Sequence, residues 1–339
     1  MPTSYYDFGP ILSRNAVYNF IVGARGVGKT YGAKRKAIKD FLSKGDQFVY
    51  LRRYNTELKS VKNTFIADIA HEFPGWVWKL QGDELQTRKH DSDDPKDWQT
   101  MCYFVALSKG QQKKSVAYPR VKTIIFDEFI IDRGVIHYMQ NEVKAFNDFY
   151  STVDRYKDKT RVLFLANSVS IMNPYFIDWD IAPKLNDEWL ILHKGFIACH
   201  FPQAEAFVGE VYATKFGQFI QGSEYADYAV GSEFSDNNAT LIKPKSSDAR
   251  YHATIETKTG TFSLWIDQRA QGAPIFYVTS KHPKRPFLWT LLPERMSEER
   301  VLIDYTDKTL QYLRTGYGRA KVFFDKPQTR NSFIGIYRR

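Results

Sequence analysis

Cysteine is nearly absent: Cys102 and Cys199 are the only two in the chain, far apart and outside any CxxC pattern. A disulfide scaffold and a structural zinc knot are both disfavoured, and a reducing compartment fits. Long hydrophobic runs are missing too. Stretches such as Val162-Leu163-Phe164-Leu165-Ala166 fall far short of the ~20 residues needed to span a bilayer. Met1 to Phe8 shows no charged start followed by an apolar core, so no signal peptide is expected and the chain reads as soluble and intracellular. The seven histidines form no HExxH, no Cys/His cluster and no Ser-His-Asp arrangement. Internal repeats and low-complexity tracts are also lacking.

What remains is a chain rich in core-forming residues. At 339 residues, 43% apolar and 16% aromatic, it can fill more than one core. Lys and Arg number 48 against 38 Asp and Glu, a net charge of +10 that favours a polyanionic partner. The excess is uneven. Residues 241–339 hold 18 basic and 9 acidic residues, whereas residues 1–240 hold 30 and 29. Between Phe201 and Thr240 the one base, Lys215, faces six acids. Gly222-Ser223, Gly231-Ser232 and Asp236-Asn237-Asn238 add the punctuation of a boundary. The expected division is a near-neutral body over 1–200, an acidic connector over 201–240 and a basic body over 241–339.

The first body alternates strands with helices. Strands are predicted at Val17–Val22, Gln47–Arg53, Lys122–Glu128 and Arg161–Asn167. Helices are predicted from the end of the first glycine-rich loop to about Leu42, closed by Gly45, then around Leu58–Phe73 and Asn141–Tyr150. Trp76–Leu107 reads as one or two hairpins with Asp91–Pro95 at a turn. Such alternation implies an α/β fold with a mainly parallel sheet.

The strand ends carry the chemistry. Gly23-Ala24-Arg25-Gly26-Val27-Gly28-Lys29-Thr30 matches GxxxxGK[ST] between a strand and a helix, the context a P-loop requires. Its glycines let backbone N–H groups and the helix N-terminus face phosphate oxygens. Lys29 then meets the β- and γ-phosphates of ATP, and the Thr30 hydroxyl binds Mg²⁺. Asp127, at the end of a buried strand, is the expected second metal partner, and Glu128 beside it the general base. No NKxD motif occurs, which argues against a GTPase. A base beside the metal aspartate suits hydrolysis better than transfer to a small acceptor. Asn167 ends the next strand, where its amide orients water and senses the γ-phosphate, or caps the Asn167-Ser168 turn. Arg25 serves phosphate, a neighbouring subunit or solvent. Arg155, in the charged run Ser151–Lys159, is either an arginine finger or a solvated side chain.

These motifs together resemble the DNA-packaging ATPases of phi-29-like tailed phages, a terminase-related group of additional-strand P-loop translocases. The resemblance rests on Phe20–Lys29, Gln47–Tyr54, Ala117-Tyr118-Pro119, Ile124–Phe129, Asn167–Phe176 and Gly222-Ser223-Glu224-Tyr225. It implies a homo-oligomeric ring of five subunits that drives double-stranded DNA through the portal of a prohead. A packaging RNA is a further implied partner, and the implied location is the host cytoplasm, with transient docking on the prohead. It also implies that Arg155 enters a neighbour's ATP site. Where the family can carry a DNA-facing lysine after Arg-Arg-Tyr, this chain has Asn55, so Arg52, Arg53, Lys59 or Lys62 would have to supply that contact.

In the basic body, Thr261–Asp267 and Ala273–Val278 are predicted as adjacent strands joined through Gln268–Gly272, and Ser297–Gly316 as a helix. By resemblance this is a smaller α+β RNase H-like domain, a reduced nuclease. A two-metal nuclease needs several carboxylates converging on ions ~4 Å apart. Asp267 is a candidate ligand, with Asp304 and Asp307 at helical i, i+3 spacing. The favoured reading makes all three solvated or capping acids, leaving a basic domain for DNA, RNA or the portal. The alternatives to a packaging motor are another P-loop motor such as a helicase, or a nucleotide-switched assembly protein that binds nucleic acid.

Overall fold

Apolar runs flanked by glycine and polar turns become strands, and the amphipathic stretches between them become helices. The structure is a computed structural model that describes residues 5–113, 117–131, 137–168, 173–181, 183, 187–202, 205–223, 241–268, 274–304, 306–318 and 321–333. It divides into two compact units, residues 1–169 with 183–233, and 170–182 with 234–339.

In the first unit, α1 (Gly9–Leu12) precedes β1 (Tyr18–Gly23), α2 (Lys29–Lys44), β2 (Gln47–Arg52) and α3 (Asn55–Lys62). Next come β3 (Trp76–Gln81), β4 (Glu84–Lys89), β5 (Gln99–Ala106), β6 (Val121–Asp127), α4 (Glu142–Asp154) and β7 (Arg161–Asn167). The second unit contributes α5 (Pro174–Asp178), after which β8 (Trp189–Leu192), β9 (Ile197–His200), α6 (Glu205–Tyr212) and α7 (Lys215–Ile220) return to the first. The nine strands lie in the order β3-β4-β5-β2-β6-β7-β1-β9-β8. From β5 to β9 every neighbour is parallel, and antiparallel partners flank both ends. Strand β7 stands between the P-loop strand β1 and the carboxylate strand β6, the additional strand of this fold group. All six residues of β1 and of β2 are buried, as strands covered on both faces must be.

One helix is shorter than predicted. Leu58, Phe65, Ile69 and Phe73 are buried at helical spacing, yet the helix stops at Lys62 and only a single 3₁₀ turn, Ala70–Glu72, follows. The Phe65 carbonyl accepts from Lys34 Nζ at 2.8 Å instead of closing a helical bond. The boundary signals Gly231-Ser232, Asp236-Asn237-Asn238 and Glu224-Tyr225 lie outside the described residues.

The second unit continues with β10 (Arg250–Thr257), β11 (Gly260–Asp267), β12 (Ile275–Thr279), β13 (Leu288–Thr290) and β14 (Arg300–Leu302). It closes with α8 (Lys308–Gly318), β15 (Val322–Phe324) and α9 (Pro327–Phe333). Strands β12, β11 and β10 are antiparallel, and β13 then β14 follow β10 in parallel, the RNase H-like arrangement. Leu310, Leu313 and Phe333 pack with Ile255, Leu264, Phe276 and Val278 in its core. The predicted helix from Ser297 is corrected. Arg300–Leu302 pairs with β13, Ser297 bridges Arg300, and the helix starts only at Lys308. The turn residues 269–272 lie outside the described residues.

Candidate active site

Strands β1, β7, β6 and β2 are parallel neighbours, so their carboxyl ends share one edge, where α/β sheets place ligands. From β1 the chain turns through Gly26 (φ 93°) and Gly28 (φ 77°) into α2. The second glycine is required twice over: its backbone is left-handed, and a Cβ there would lie 2.6 Å from the Tyr5 ring. Tyr5 in turn stacks on Tyr31 at 3.9 Å.

Lys29 is 7% exposed and folds back along the loop it follows. Its Nζ donates to the Gly23 and Ala24 carbonyls at 3.0 and 2.6 Å and to Asn167 Oδ1 at 3.3 Å. Burial lowers its pKa to about 8, and the Asp127 carboxylate only partly offsets that. Thr30 Oγ1 donates to Asp127 Oδ1 at 3.0 Å. The other Asp127 oxygen accepts from Tyr50 OH at 2.5 Å. Burial, then the same carboxylate, raise the Tyr50 phenol and keep it a donor. Thus Lys29, Thr30, Asp127 and Asn167 converge, drawn from two adjacent strands and one helix.

Glu128 follows with a left-handed backbone (φ 56°) and a side chain 60% exposed. Arg52 Nη1 lies 2.5 Å from Glu128 Oε2, and its Nη2 lies 3.8 Å from Asp127. Arg53, 1% exposed, makes a two-pronged pair with Glu142 at 2.8 Å and also donates to the Phe129 carbonyl at 2.7 Å. Of the four residues left open for a DNA contact, both arginines are therefore buried in ion pairs. Lys62 pairs with Asp83, which leaves Lys59 as the exposed member of that set. Arg25 is exposed on the loop.

Arg155 stands at the opposite edge. It caps the end of α4 with φ 55° and is exposed, ahead of β7, whose carboxyl end carries Asn167. The seven residues of β7, at about 3.3 Å each, put some 20 Å between this turn and its own P-loop. Tyr156 and Asp158 are left-handed too, and Tyr156 is 90% exposed. Asp154 holds the turn by accepting from the N–H groups of Lys157, Asp158, Lys159 and Thr160 at 2.9–3.0 Å. Burial works against its ionisation, but these four bonds win and hold its carboxyl below the usual range.

The acids of the second unit do not converge. Asp267 ends β11 and is buried. Asp304 accepts from the Thr306 backbone at 2.7 Å, and Asp307 caps α8 through Thr309 and Leu310 at 2.8 and 3.3 Å. Both precede the helix, so the shared helical face is not formed. Among the described residues no group of three or more His, Cys, Asp or Glu is placed to hold a metal. Glu256 on β10 is answered by cations instead, Arg295 at 2.5 Å and Arg300 at 3.6 Å.

Sequence reasoning missed Tyr50 and Asp154, and named Arg52 for DNA without its pairing with Glu128. Polar residues within or ending apolar runs beside the carboxylate strand were the available signal for Tyr50 and Arg52. Nothing local marked Asp154.

A family model described as Podovirus DNA encapsidation protein (Gp16) matches residues 2–339. The DNA packaging protein of Bacillus phage B103 is 33% identical over 93% of this chain and 94% of that one. A chain of the bacteriophage phi-29 viral genome packaging motor assembly is 30% identical, with 98% of each chain covered and a TM-score of 0.62. The N-terminal domain of the DNA packaging ATPase from bacteriophage phi29 is 34% identical over 60% of this chain and 98% of its own length, with a TM-score of 0.54.

Proposed function

The chain belongs to the podovirus DNA encapsidation protein (Gp16) family, and from that premise we propose an ATP-driven motor that moves double-stranded DNA through a portal into a prohead. The observation that carries the chemistry is the convergence of Lys29, Thr30, Asp127 and Asn167 at one sheet edge, with Glu128 next to it. An oxygen donor pair, Thr30 Oγ1 and the Asp127 carboxylate, suits Mg²⁺, a hard cation. Bound there with ATP, the metal supplies charge neutralisation on the phosphate oxygens.

The protein side follows from the geometry. Lys29 exchanges the Gly23 and Ala24 carbonyls for phosphate oxygens, which restores a charge that burial alone disfavours. Glu128 takes a proton from the attacking water once its carboxylate leaves Arg52, because an oxygen held by the guanidinium is not free to accept from water. Asn167, released by Lys29, faces the terminal phosphate or the water. The separation of Arg155 from its own P-loop supports a role for it in the next subunit's site, in a ring of five. Packaging docks that ring transiently on the prohead portal in the host cytoplasm, with a packaging RNA as a further partner.

The division into an ATPase body (1–200), an acidic connector (201–240) and a basic body (241–339) is part of this reading. So is the absence of nuclease activity: Asp304 and Asp307 are engaged in turn and cap bonds, and Glu256 is neutralised by arginines. The deciding experiment mixes purified protein, empty proheads and linear duplex DNA with and without ATP. DNA that becomes nuclease-resistant only with ATP is the expected result. Strand separation without packaging would replace this reading with a helicase.

A further inference from the structure

The edge of the first unit's sheet opposite the P-loop carries a cavity of about 250 Å³. Its walls are the second half of α2 and the amino ends of β6 and β7. Lys36 and Lys44 come from α2, Lys122 from β6, Arg161 from the start of β7 and Lys159 from the turn just before it. Two carboxylates, Asp40 and Asp46, face these five cations. Asp40 is already shared, being paired with Lys36 and lying 3.5 Å from Lys44. The bonds of Lys159 and Arg161 go to uncharged oxygens: Lys159 to the Pro119 carbonyl at 3.1 Å, Arg161 to the Leu12 carbonyl at 3.4 Å and to the Asn15 amide. Lys122 is exposed.

The cluster repels itself. Burial, then Lys157 and Lys122, pull the Lys159 ammonium below its ordinary pKa, with Arg155 adding to the same effect against Asp154. Average composition does not account for this, because residues 1–240 carry a net charge of only +1. Solvation of a lysine-rich edge is the bland alternative, and the carbonyl end of α2 opposes an anion there. Solvation alone does not explain why five cations converge on one cavity with one unshared carboxylate. Lysine predominates over arginine, which suits point-charge contact with phosphate rather than planar, two-pronged recognition. Lys36 and Lys44 are eight positions apart on α2, so their stems leave the helix about 12 Å apart, a spread that more than one phosphate of a backbone can fill and one small anion cannot.

We propose that this pocket holds phosphate groups of a duplex nucleic-acid backbone on the ATPase body, at a site separate from the ATP site. The assignment does not rest on ATP-driven packaging: a chain that fails to package could still show it, and one that packages could lack it.

The test uses the full chain and a short DNA duplex, with affinity followed by fluorescence anisotropy across a salt series. Changing Lys122→Gln with Lys159→Gln should weaken binding several-fold and flatten the log–log salt slope by about 1–2, at ~0.9 for each phosphate no longer neutralised. ATP affinity should stay at the wild-type value. An unchanged slope and affinity would overturn the proposal. So would an equal loss in Lys29→Ala, which would put the DNA at the P-loop. Acetylation of the wild-type chain, read residue by residue by mass spectrometry, gives a second measurement independent of any variant's folding. Duplex DNA should protect Lys122 and Lys159. Protection by inorganic phosphate but not by DNA would reassign the pocket to a free anion and overturn the backbone claim.

Discussion

Both units bury a carboxylate against arginine, and they do so to different ends. In the first, Arg53 and Glu142 are each at most 2% exposed, and their pair fastens β2 to the start of α4 behind the catalytic edge. In the second, Glu256 is held by Arg295 and Arg300, whose side chains are 57% and 42% exposed. The first unit gathers its charges in an assembled site where Lys29, Thr30, Asp127 and Asn167 touch. The second keeps an RNase H-like sheet while Glu256 is paired with arginines and Asp304 and Asp307 are engaged in turn and cap bonds. Retention of a sheet order therefore says nothing about retention of its chemistry, which depends on where a few side chains converge.

The difference can be broken most severely at Arg155. Arg155→Ala should cut ATP turnover by ~10³–10⁵, the range for a lost arginine finger, without unfolding the chain. Mixed with Glu128→Gln protein it should regain part of that activity, since some junctions then pair an intact base with an intact neighbouring finger. No recovery in demonstrated mixed rings would count against a finger acting across the interface. Next in size, Glu128→Gln alone should lower turnover by ~10²–10⁴ while Mg-ATP binding persists. Near-normal hydrolysis would move the base elsewhere.

A matched pair of variants sharpens the contrast itself. Arg53→Met strands a buried carboxylate and should cost about 3–5 kcal/mol in denaturant unfolding. Arg295→Met removes a half-exposed partner while Arg300 remains, and should cost no more than about 1 kcal/mol. Equal costs would erase the distinction.

Lys29 gives a pH test. Its pKa, lowered to about 8, leaves it increasingly neutral above that pH in the nucleotide-free chain, whereas phosphate contact requires the charge. ATP affinity should then fall by up to about tenfold per pH unit above pH 8, with proton uptake on binding visible by calorimetry in buffers of different ionisation enthalpy. The same depression means that burying Lys29 destabilises the fold most below pH 8, a cost relieved as pH rises from 8 towards the ordinary 10.5. Smallest of all, Asp307→Ala should remove a helix cap worth about 1 kcal/mol. A gain in stability would instead point to a strained ligand position.

Much of the first unit was legible because its motifs are local. Gly23–Thr30 and Asp127-Glu128 are contiguous, and each sits at the end of an apolar run that could only be a buried strand. The pairing of Arg52 with Glu128 was not, because it depends on β2 lying beside β6, and strand order is not written in any one stretch. Helical spacing at Leu58, Phe65, Ile69 and Phe73 misled because turns can bury the same residues once Lys34 takes the Phe65 carbonyl. In the second unit, acids at i, i+3 before α8 mimicked a helical face, but Val301-Leu302 pairs as strand and pushes the helix start downstream. Averaging hid the cationic cavity, whose charges come from three separate segments of a near-neutral body.

The carboxylate of Asp154, gripping four successive N–H groups, has a consequence for timing. Ordering a backbone costs about 1–2 kcal/mol per residue, or roughly 5–10 kcal/mol for a loop the length of residues 155–159. Because Asp154 fixes that turn within the folded subunit, this entropy is settled at folding and is not lost again at each encounter. In the ring proposed above, Arg155 therefore arrives at its neighbour on a turn already shaped, and its docking is spared the ordering cost of a free loop.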